Sequence, residues 1–193
     1  MKKNLKTQFL TRQYMLSKEY ELYYYSDSHM ANVDSHTHDY YELYFFMEGK
    51  VSYLIEKQLY DLRAGDVVVI PPGIHHKAVI HDLEKPYSRF VFWISIDYYQ
   101  RIRQMSEDYF YIVDLARDKG RYVFHNDAVA FSSIQSRIFH LIEEIHWDRF
   151  GKEEKIFIGI CDLFLHLSRM AYENNHPRKL KEDQNLYENI IQY

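Results

Sequence analysis

The amino-acid sequence predicts a mainly β domain, closed as a barrel or a sandwich, that is followed by a hairpin of two helices. The first observation is a series of short aromatic and β-branched segments up to about residue 96, separated by turn residues. The second is a change of period, because apolar residues from about residue 127 onward recur at helical spacing. With 193 residues, the chain is long enough for one medium domain with an appendage.

Each predicted strand is a short apolar or aromatic run that ends at turn residues. Val67–Ile70 is a continuous β-branched run, which is typical of a buried strand. The following Pro71-Pro72-Gly73 must turn, because proline cannot donate a hydrogen bond to a strand ladder. Glu48-Gly49 and Lys57-Gln58 are predicted as further turns. The predicted strands are residues 20–25, 41–47, 51–56, 59–62, 67–70, 77–81 and 87–96, of which the last is the strongest.

Helices are predicted after the last strand. Residues 97–106 form a short helix, and Gly120 breaks the segment that follows. A long helix is predicted over about residues 127–149, with Asp127 as its N-cap and Gly151 closing it, and a second over about 153–173. Each carries an apolar stripe: Ile134, Ile138, Leu141, Ile142 and Ile145 in the first, and Ile156, Ile160, Leu163, Leu167 and Met170 in the second. Their short joint predicts a helical hairpin.

The chain is predicted to have four parts. They are an N-terminal arm (1–19), the β-barrel (20–96), a helical extension (97–175), and a linker that leads into a further domain (176–193). The arm shows no sustained period and is expected to be mobile unless something pins it. Leu186, Ile190 and Ile191 begin a new helical stripe before the chain stops at Tyr193, which predicts that the natural protein continues. The alternative is a short C-terminal helix that packs back on the domain.

Charge and composition argue against several classes of function. The formal net charge is −4, so the chain has no overall electrostatic reason to bind nucleic acid or an anionic membrane. The one cysteine, Cys161, lies in an apolar helical run and is interpreted as a core residue in a reducing compartment. No apolar signal-peptide region and no stretch of membrane-spanning length is found, so we expect a cytoplasmic protein without membrane contact.

Four residues form the candidate site. His36 and His38 lie two residues apart, so they face the same side of a strand, and Glu42 keeps that parity if the strand is unbroken. His76 lies far along the chain, and its neighbour His75 would point the other way. Three imidazoles and a carboxylate suit Zn, Ni, Fe or Mn, with open positions for water or substrate. The alternative is a hydrogen-bonded cluster of the same residues that contacts an effector without a metal.

The candidate residues fit two spaced motifs. Residues 36–49 match H-x-H-x3-E-x6-G, and residues 65–76 match G-x5-P-x-G-x2-H. This pair resembles the two cupin motifs and implies the cupin fold, a double-stranded β-helix or jelly-roll barrel. Two positions depart from the pattern, with Met30 in place of the glycine that opens the first motif and Ile80 in place of the asparagine that closes the second. Both departures concern turns and edges, and all four ligand positions are present.

The wider arrangement resembles the N-terminal domain of AraC-type bacterial transcription regulators, from Asp34 through about Asn175. The matching pieces are the first motif with its aromatic strand, Ala64-Gly65-Asp66, Ile70-Pro71-Pro72, Phe92-Trp93-Ile94-Ser95 and the helical pair. The resemblance implies a barrel that binds a small-molecule effector, often a carbohydrate. It places that effector at His36, His38, Glu42 and His76.

The same resemblance implies the partners. The two long helices, at about 127–149 and 153–173, would join two copies as a homodimer. DNA would be bound only through a C-terminal helix-turn-helix domain, which would begin near Asn185 and is missing from this chain. The resemblance implies no enzyme, no catalytic residue and no required cofactor, while a divalent metal at the four site residues stays an open alternative.

Two other functions use the same residues. A metal-dependent cupin enzyme, such as a small dioxygenase or isomerase, would use the four residues as metal ligands. The two long helices argue against it, because a minimal enzyme does not need them. A plain interaction module with a collapsed barrel is the third interpretation. Four aromatic residues are predicted to be either barrel core or ligand contacts: Tyr40, Tyr44, Phe46 and Trp93.

Overall fold

The computed structural model of the protein describes residues 12–27 and 33–177. Three sequence predictions therefore lie outside the described residues. They concern the first eleven residues of the arm, Met30, and the end of the chain from residue 178 onward, which includes the predicted stripe at Leu186, Ile190 and Ile191.

Eight strands in the described residues form two antiparallel sheets. The strands are β1 (Tyr20–Asp27), β2 (Tyr41–Glu48), β3 (Val51–Ile55), β4 (Gln58–Asp61), β5 (Val67–Ile70), β6 (His76–Ile80), β7 (Tyr87–Ile94) and β8 (Val123–Phe124). The larger sheet has the order β1-β7-β2-β5-β8, and the smaller has the order β4-β3-β6. Side chains from both sheets share one aromatic interior, so the two sheets close on each other as a barrel.

The larger sheet is buried on both faces, and the alternation of side chains along β2 shows why. Tyr41, Leu43 and Phe45 belong to the cluster that packs on the helices. Tyr44 and Phe46 belong to the barrel interior. This double burial explains why the strands are almost continuously apolar. In a sheet with one exposed face, apolar and polar residues would alternate.

Helices cover the outer face of the larger sheet. They are α1 (Ile96–Arg103), a 3-10 turn (Glu107–Phe110), α2 (Tyr111–Lys119), α3 (Ala128–His146) and α4 (Lys152–Asn175). Asp127 caps α3, as predicted, because its side chain accepts a hydrogen bond from the backbone of Ala130 at 2.8 Å. The apolar stripes of α3 and α4 pack together and on the sheet, where the rings of Phe92 and Phe164 lie 5.9 Å apart. The predicted barrel with a following helical hairpin is therefore present.

Several local predictions differ from the structure. The last long strand ends at Ile94 and not at residue 96, because the Ser95 side chain accepts from the backbone of Tyr98 and starts α1. Helix α3 ends at His146, and Gly151, with φ of 70°, begins α4 and does not close α3. Helix α2 was not predicted, and neither was β8, which pairs with Val67 and Val68.

The described part of the arm is pinned by one carboxylate. Glu21, a buried residue of β1, accepts hydrogen bonds from the Arg12 side chain and the Ser17 backbone, each at 2.6 Å. It also accepts from the Tyr23 hydroxyl and the Leu16 backbone. Burial acts to raise the pKa of Glu21, but these hydrogen bonds outweigh burial and lower it. The carboxylate is therefore charged at neutral pH. The hydrogen bonds that hold the arm to Glu21 are lost only as the pH falls through that lowered pKa.

Replacing Glu21 with alanine should release this segment. The change removes the acceptor of four donors, so we expect trypsin to cleave after Lys18 about tenfold faster or more, by limited proteolysis of the folded protein. Glu19→Ala is the control, because Glu19 lies on the same segment but forms only an exposed pair with Arg101. Equal cleavage rates in the two variants would contradict the pinning role.

The turn at Gly65, just before β5, packs against the residues that precede α3. Gly65 has φ of +99°, and a Cβ there would lie 3.0 Å from the backbone oxygen of Asn126. The Asn126 side chain donates to the Gly65 oxygen at 2.9 Å, and the buried Asp66 carboxylate lies 2.8 Å from the His125 ring nitrogen. These contacts fix the start of α3 to the strand that lines the barrel. None of the helices described is long and apolar enough to cross a membrane.

Candidate functional site

The barrel brings together three of the four predicted site residues. Glu42 is the second residue of β2, and His76 is the first residue of β6 in the opposite sheet. His38 precedes β2, where its backbone oxygen accepts from Gly73 at 2.9 Å. One ligand atom from each of His38, Glu42 and His76 lies within 4.8 Å of the others, and all three residues are buried. The closing of the two sheets thus brings together residues that lie up to 38 positions apart in the sequence.

Hydrogen bonds to backbone carbonyls orient both imidazoles. The Nδ1 atom of His38 lies 2.8 Å from the Tyr40 oxygen, and that of His76 lies 2.9 Å from the Ile74 oxygen. Because a carbonyl oxygen only accepts, each Nδ1 must carry the proton. The Nε2 atom of each ring therefore points away from that carbonyl, and neither Nε2 atom has a hydrogen-bond partner.

The two Nε2 atoms face the same carboxylate. The Nε2 atom of His38 lies 3.6 Å from one Glu42 oxygen, and that of His76 lies 4.0 Å from the other. Both distances exceed a good hydrogen bond. Two unpartnered ring nitrogens and a carboxylate therefore converge, an arrangement that suits the binding of a cation or another polar group.

Two aromatic side chains hold the Glu42 carboxylate. The Trp93 indole donates to it at 2.7 Å, and the Tyr53 hydroxyl donates at 3.2 Å. Burial acts to raise the pKa of Glu42, but the interactions with His38 and His76 and the Trp93 hydrogen bond outweigh burial and lower it to about 2. Burial lowers the pKa of His76 to about 4, so this ring is neutral at neutral pH. The site combines a charged carboxylate with at least one neutral imidazole.

His36 lies beside the cluster but outside it. Its backbone pairs with that of His76 in an isolated bridge, and the two rings lie 4.5 Å apart. Its Nδ1 atom contacts the Asp34 oxygen at 2.9 Å, and the ring does not contribute to the group of mutually close ligand atoms. His75 is exposed, whereas His76 is buried. The assignment of His36 to the binding site stays a prediction.

Aromatic rings form the walls around the cluster. The Tyr40 ring stacks on His38 with centroids 3.9 Å apart, and Tyr53 stacks on His76 at 6.0 Å. Trp93 lies 4.9 Å from Tyr40. Four aromatic residues were predicted to be either barrel core or ligand contacts. All four belong to the interior cluster: Tyr40, Tyr44, Phe46 and Trp93.

Sequence reasoning missed two residues at the site. Tyr53 was one tyrosine among nineteen, and only the pairing of β3 with β6 places it against the cluster. Arg12 lay in the arm, and the Arg12 guanidinium lies 5.3 Å from the Trp93 ring. Among the described residues, five buried side-chain polar atoms lack a partner, and four of them lie in this region: Arg12 Nε, His38 Nε2, Tyr40 OH and His76 Nε2. The region therefore has unused capacity to bind a polar group.

The donor set fits a divalent metal in its chemistry. Two imidazoles and one carboxylate are a common ligand combination for Zn, Fe and related ions. The hydrogen bonds from each Nδ1 to a carbonyl are the outer contacts that usually orient metal-binding histidines. His38, Glu42 and His76 are the residues that would hold such an ion, which would supply a Lewis acid for a bound group.

The fold and site together define a cupin-type binding domain. Solved structures with this fold include a Cupin 2 conserved barrel domain protein from Salinispora arenicola, at 21% identity over 51% of this chain and 82% of that chain, with a TM-score of 0.39. An RmlC-like cupin from Methanocaldococcus jannaschii is 12% identical over 41% of this chain and 72% of its own, with a TM-score of 0.36. The DMSP lyase DddQ from Ruegeria pomeroyi is 25% identical over 42% of this chain and 40% of its own, also with a TM-score of 0.36.

The sequence family is narrower than the fold. Residues 19–154 match the family described as the AraC-like ligand binding domain, and the chain belongs to that family. No curated protein matches the chain. The predicted resemblance and the predicted cupin barrel with its packed C-terminal helices are therefore confirmed.

Proposed function

We propose that this domain senses a small polar effector inside the barrel and, as a homodimer, controls the DNA-binding part of an AraC-type regulator in the cytoplasm. Membership of the AraC-like ligand binding family supports the effector. The single observation that carries the location is the convergence of Glu42 with the unpartnered Nε2 atoms of His38 and His76 in an aromatic-walled interior. His36, at the edge of this cluster, is proposed as a further contact.

Helices α3 and α4 are proposed to form the dimer interface. Their mutual packing leaves Val129 and Ile158 exposed, although both are large apolar residues. Light scattering should give the mass of a dimer at tens of micromolar protein, and Ile158→Glu should shift it toward the monomer. A monomeric wild-type chain at that concentration would overturn this part of the proposal.

A thermal-shift series tests the binding site. The probes are Zn²⁺, Ni²⁺, Mn²⁺ and a panel of neutral sugars, each with and without a chelator. A ligand at about a hundred times its Kd stabilises the folded state by about 2.7 kcal/mol, which raises Tm by roughly 5 to 10 °C in a domain of this size. His38→Ala should abolish the shift, whereas His75→Ala should keep it, because only the latter ring is exposed. A shift that survives His38→Ala would place binding elsewhere.

A metal-dependent cupin enzyme is the second candidate function. The observation that favours it is the two-histidine, one-carboxylate set, since such a set leaves coordination positions open for a substrate. Stoichiometric iron or manganese in the purified protein, together with turnover of a substrate that the chelator stops, would favour the enzyme over the sensor.

A further inference from the structure

Helices α3 and α4 enclose an open groove on their exposed side, with a volume of about 430 Å³. Its lining includes one cation and one anion from each helix: Arg137 and Glu144 of α3, and Lys155 and Asp162 of α4. On each helix the cation comes seven residues before the anion. Seven residues make two helical turns, so the two charges lie on the same face of their helix, about 10 Å apart along its axis.

The direction of the helices places like charges on the diagonals of this groove. Helices α3 and α4 are antiparallel, and the Arg137 guanidinium pairs with the Asp162 carboxylate at 2.8 Å. Glu144 and Lys155 therefore lie toward the other end of the groove. A surface with this pattern presents opposite charges to a copy of itself that is turned by 180° about an axis in the surface. The groove is thus complementary in charge to a second copy of this chain.

The centre of the groove combines a gap with a neighbouring ridge. Gly159 packs so closely on α3 that a Cβ there would lie 2.7 Å from a methyl carbon of Leu141. Its neighbour Ile158 is 60% exposed and also borders a second depression, beside Phe157 and Arg101. An apolar side chain that projects between two depressions is suited to enter a depression on a partner. Gly159, which has no side chain, leaves such a depression.

These features determine how two α4 helices can face each other. In antiparallel helices centred between Ile158 and Gly159, Lys155 lies opposite Asp162 of the other copy, and Ile158 lies opposite its Gly159. In parallel helices related by a two-fold axis, each residue would face itself, so Lys155 would meet Lys155 and Asp162 would meet Asp162. We infer that two copies of this chain associate through antiparallel α4 helices, with a pair between Lys155 and Asp162 on each side of the two-fold axis.

This inference rests on the proposed homodimer and specifies the helix, the direction and the residues in contact. The test reverses the charges with Lys155→Asp, with Asp162→Lys and with both changes together. Sedimentation equilibrium at low ionic strength measures the Kd of the dimer. Each single variant places like charges opposite each other at two symmetric positions, so we expect Kd to rise about tenfold or more. The double variant restores both pairs with exchanged signs, and its Kd should return to within about threefold of wild type.

Recovery of Kd in the double variant would be specific to contact between copies. Within one chain Lys155 and Asp162 lie about 10 Å apart along the helix, which is too far for a direct pair. Asp162→Lys also breaks the pair with Arg137 inside the chain, and the double variant does not restore that pair. Lys119→Asp, the same charge change on an exposed residue of α2, is the control and should leave Kd unchanged. Circular dichroism checks that each variant keeps its fold.

The failure of this inference differs from the failure of the homodimer proposal. A wild-type dimer whose Kd neither single variant changes would overturn the antiparallel arrangement while leaving the homodimer standing. The same holds if the double variant does not recover the loss. A wild-type chain that stays monomeric at tens of micromolar protein would overturn both proposals.

Discussion

The largest loss of stability is expected from Phe92→Ala. Phe92 is fully buried on the outer face of β7, where its ring lies 5.9 Å from that of Phe164 on α4. Removing it takes away apolar burial and leaves a cavity where the sheet meets the helices, so the free energy of unfolding should fall by about 3 to 5 kcal/mol. Chemical denaturation followed by circular dichroism measures this change.

The matched control is Phe150→Ala. Phe150 is fully exposed in the joint between α3 and α4, so the same substitution should change the free energy of unfolding by no more than about 0.5 kcal/mol. A loss below about 1 kcal/mol in Phe92→Ala would mean that the sheet and the helices are not packed as described.

The second large effect is expected from Asp27→Ala. Its carboxylate accepts from the Arg89 guanidinium at 3.1 Å, and the Arg89 side chain is 3% exposed inside the barrel. The variant removes a carboxylate that faces this buried guanidinium, which costs about 3 kcal/mol of unfolding free energy. The same denaturation experiment applies.

A double variant separates charge from packing at this pair. Asp27→Ala combined with Arg89→Met removes both charges of the pair, and should recover most of the loss because neither is left facing an apolar side chain. Asp82→Ala is the surface control, since its pair with Lys85 is long, at 3.8 Å, and largely exposed. If the double variant were as unstable as Asp27→Ala, the loss would come from packing and not from the charge.

The spacing of apolar residues along the sequence was sufficient to predict most strands of the barrel. Val67–Ile70 was placed residue for residue, because a β-branched run between a glycine turn and two prolines allows little else. The stripes of α3 and α4 were equally clear, since each repeats over at least three turns. Helix α2 was missed because its nine residues are too few for the period to be distinctive.

The site was predictable only where the residues share a motif. The parity argument placed Glu42 on the inner face with Tyr44, and it excluded His75 in favour of the buried His76. The roles of Tyr53 and Arg12 depend on contacts across the barrel and from the arm, which no local spacing encodes. His36 is a residue that the motif indicated and the structure does not place in the group. It lies beside the cluster, but its ring does not belong to the set of mutually close ligand atoms.

The arm gives the clearest example of a tertiary effect on a segment without local pattern. Residues 12–19 have no period, and their position is set by Glu21, an acid that looks like an ordinary strand residue in the sequence. Because Arg12 contacts both Glu21 and Trp93, the arm is connected to the indole that holds Glu42. An effector that moves Trp93 would therefore change the contacts of Arg12 in the arm.

The alternation of side chains along β2 and β7 has a consequence for how this domain can vary. Neighbouring positions in one strand serve different purposes, since Tyr44 and Val91 face the barrel interior and Leu43 and Phe92 pack toward the helices. If the proposed effector binds in the interior, mutations at the former set would alter its surroundings, while the latter set would keep the sheet packed on the helices. A combinatorial library restricted to inward positions should yield altered specificities with little loss of foldability, which makes this scaffold a favourable starting point for engineered biosensors.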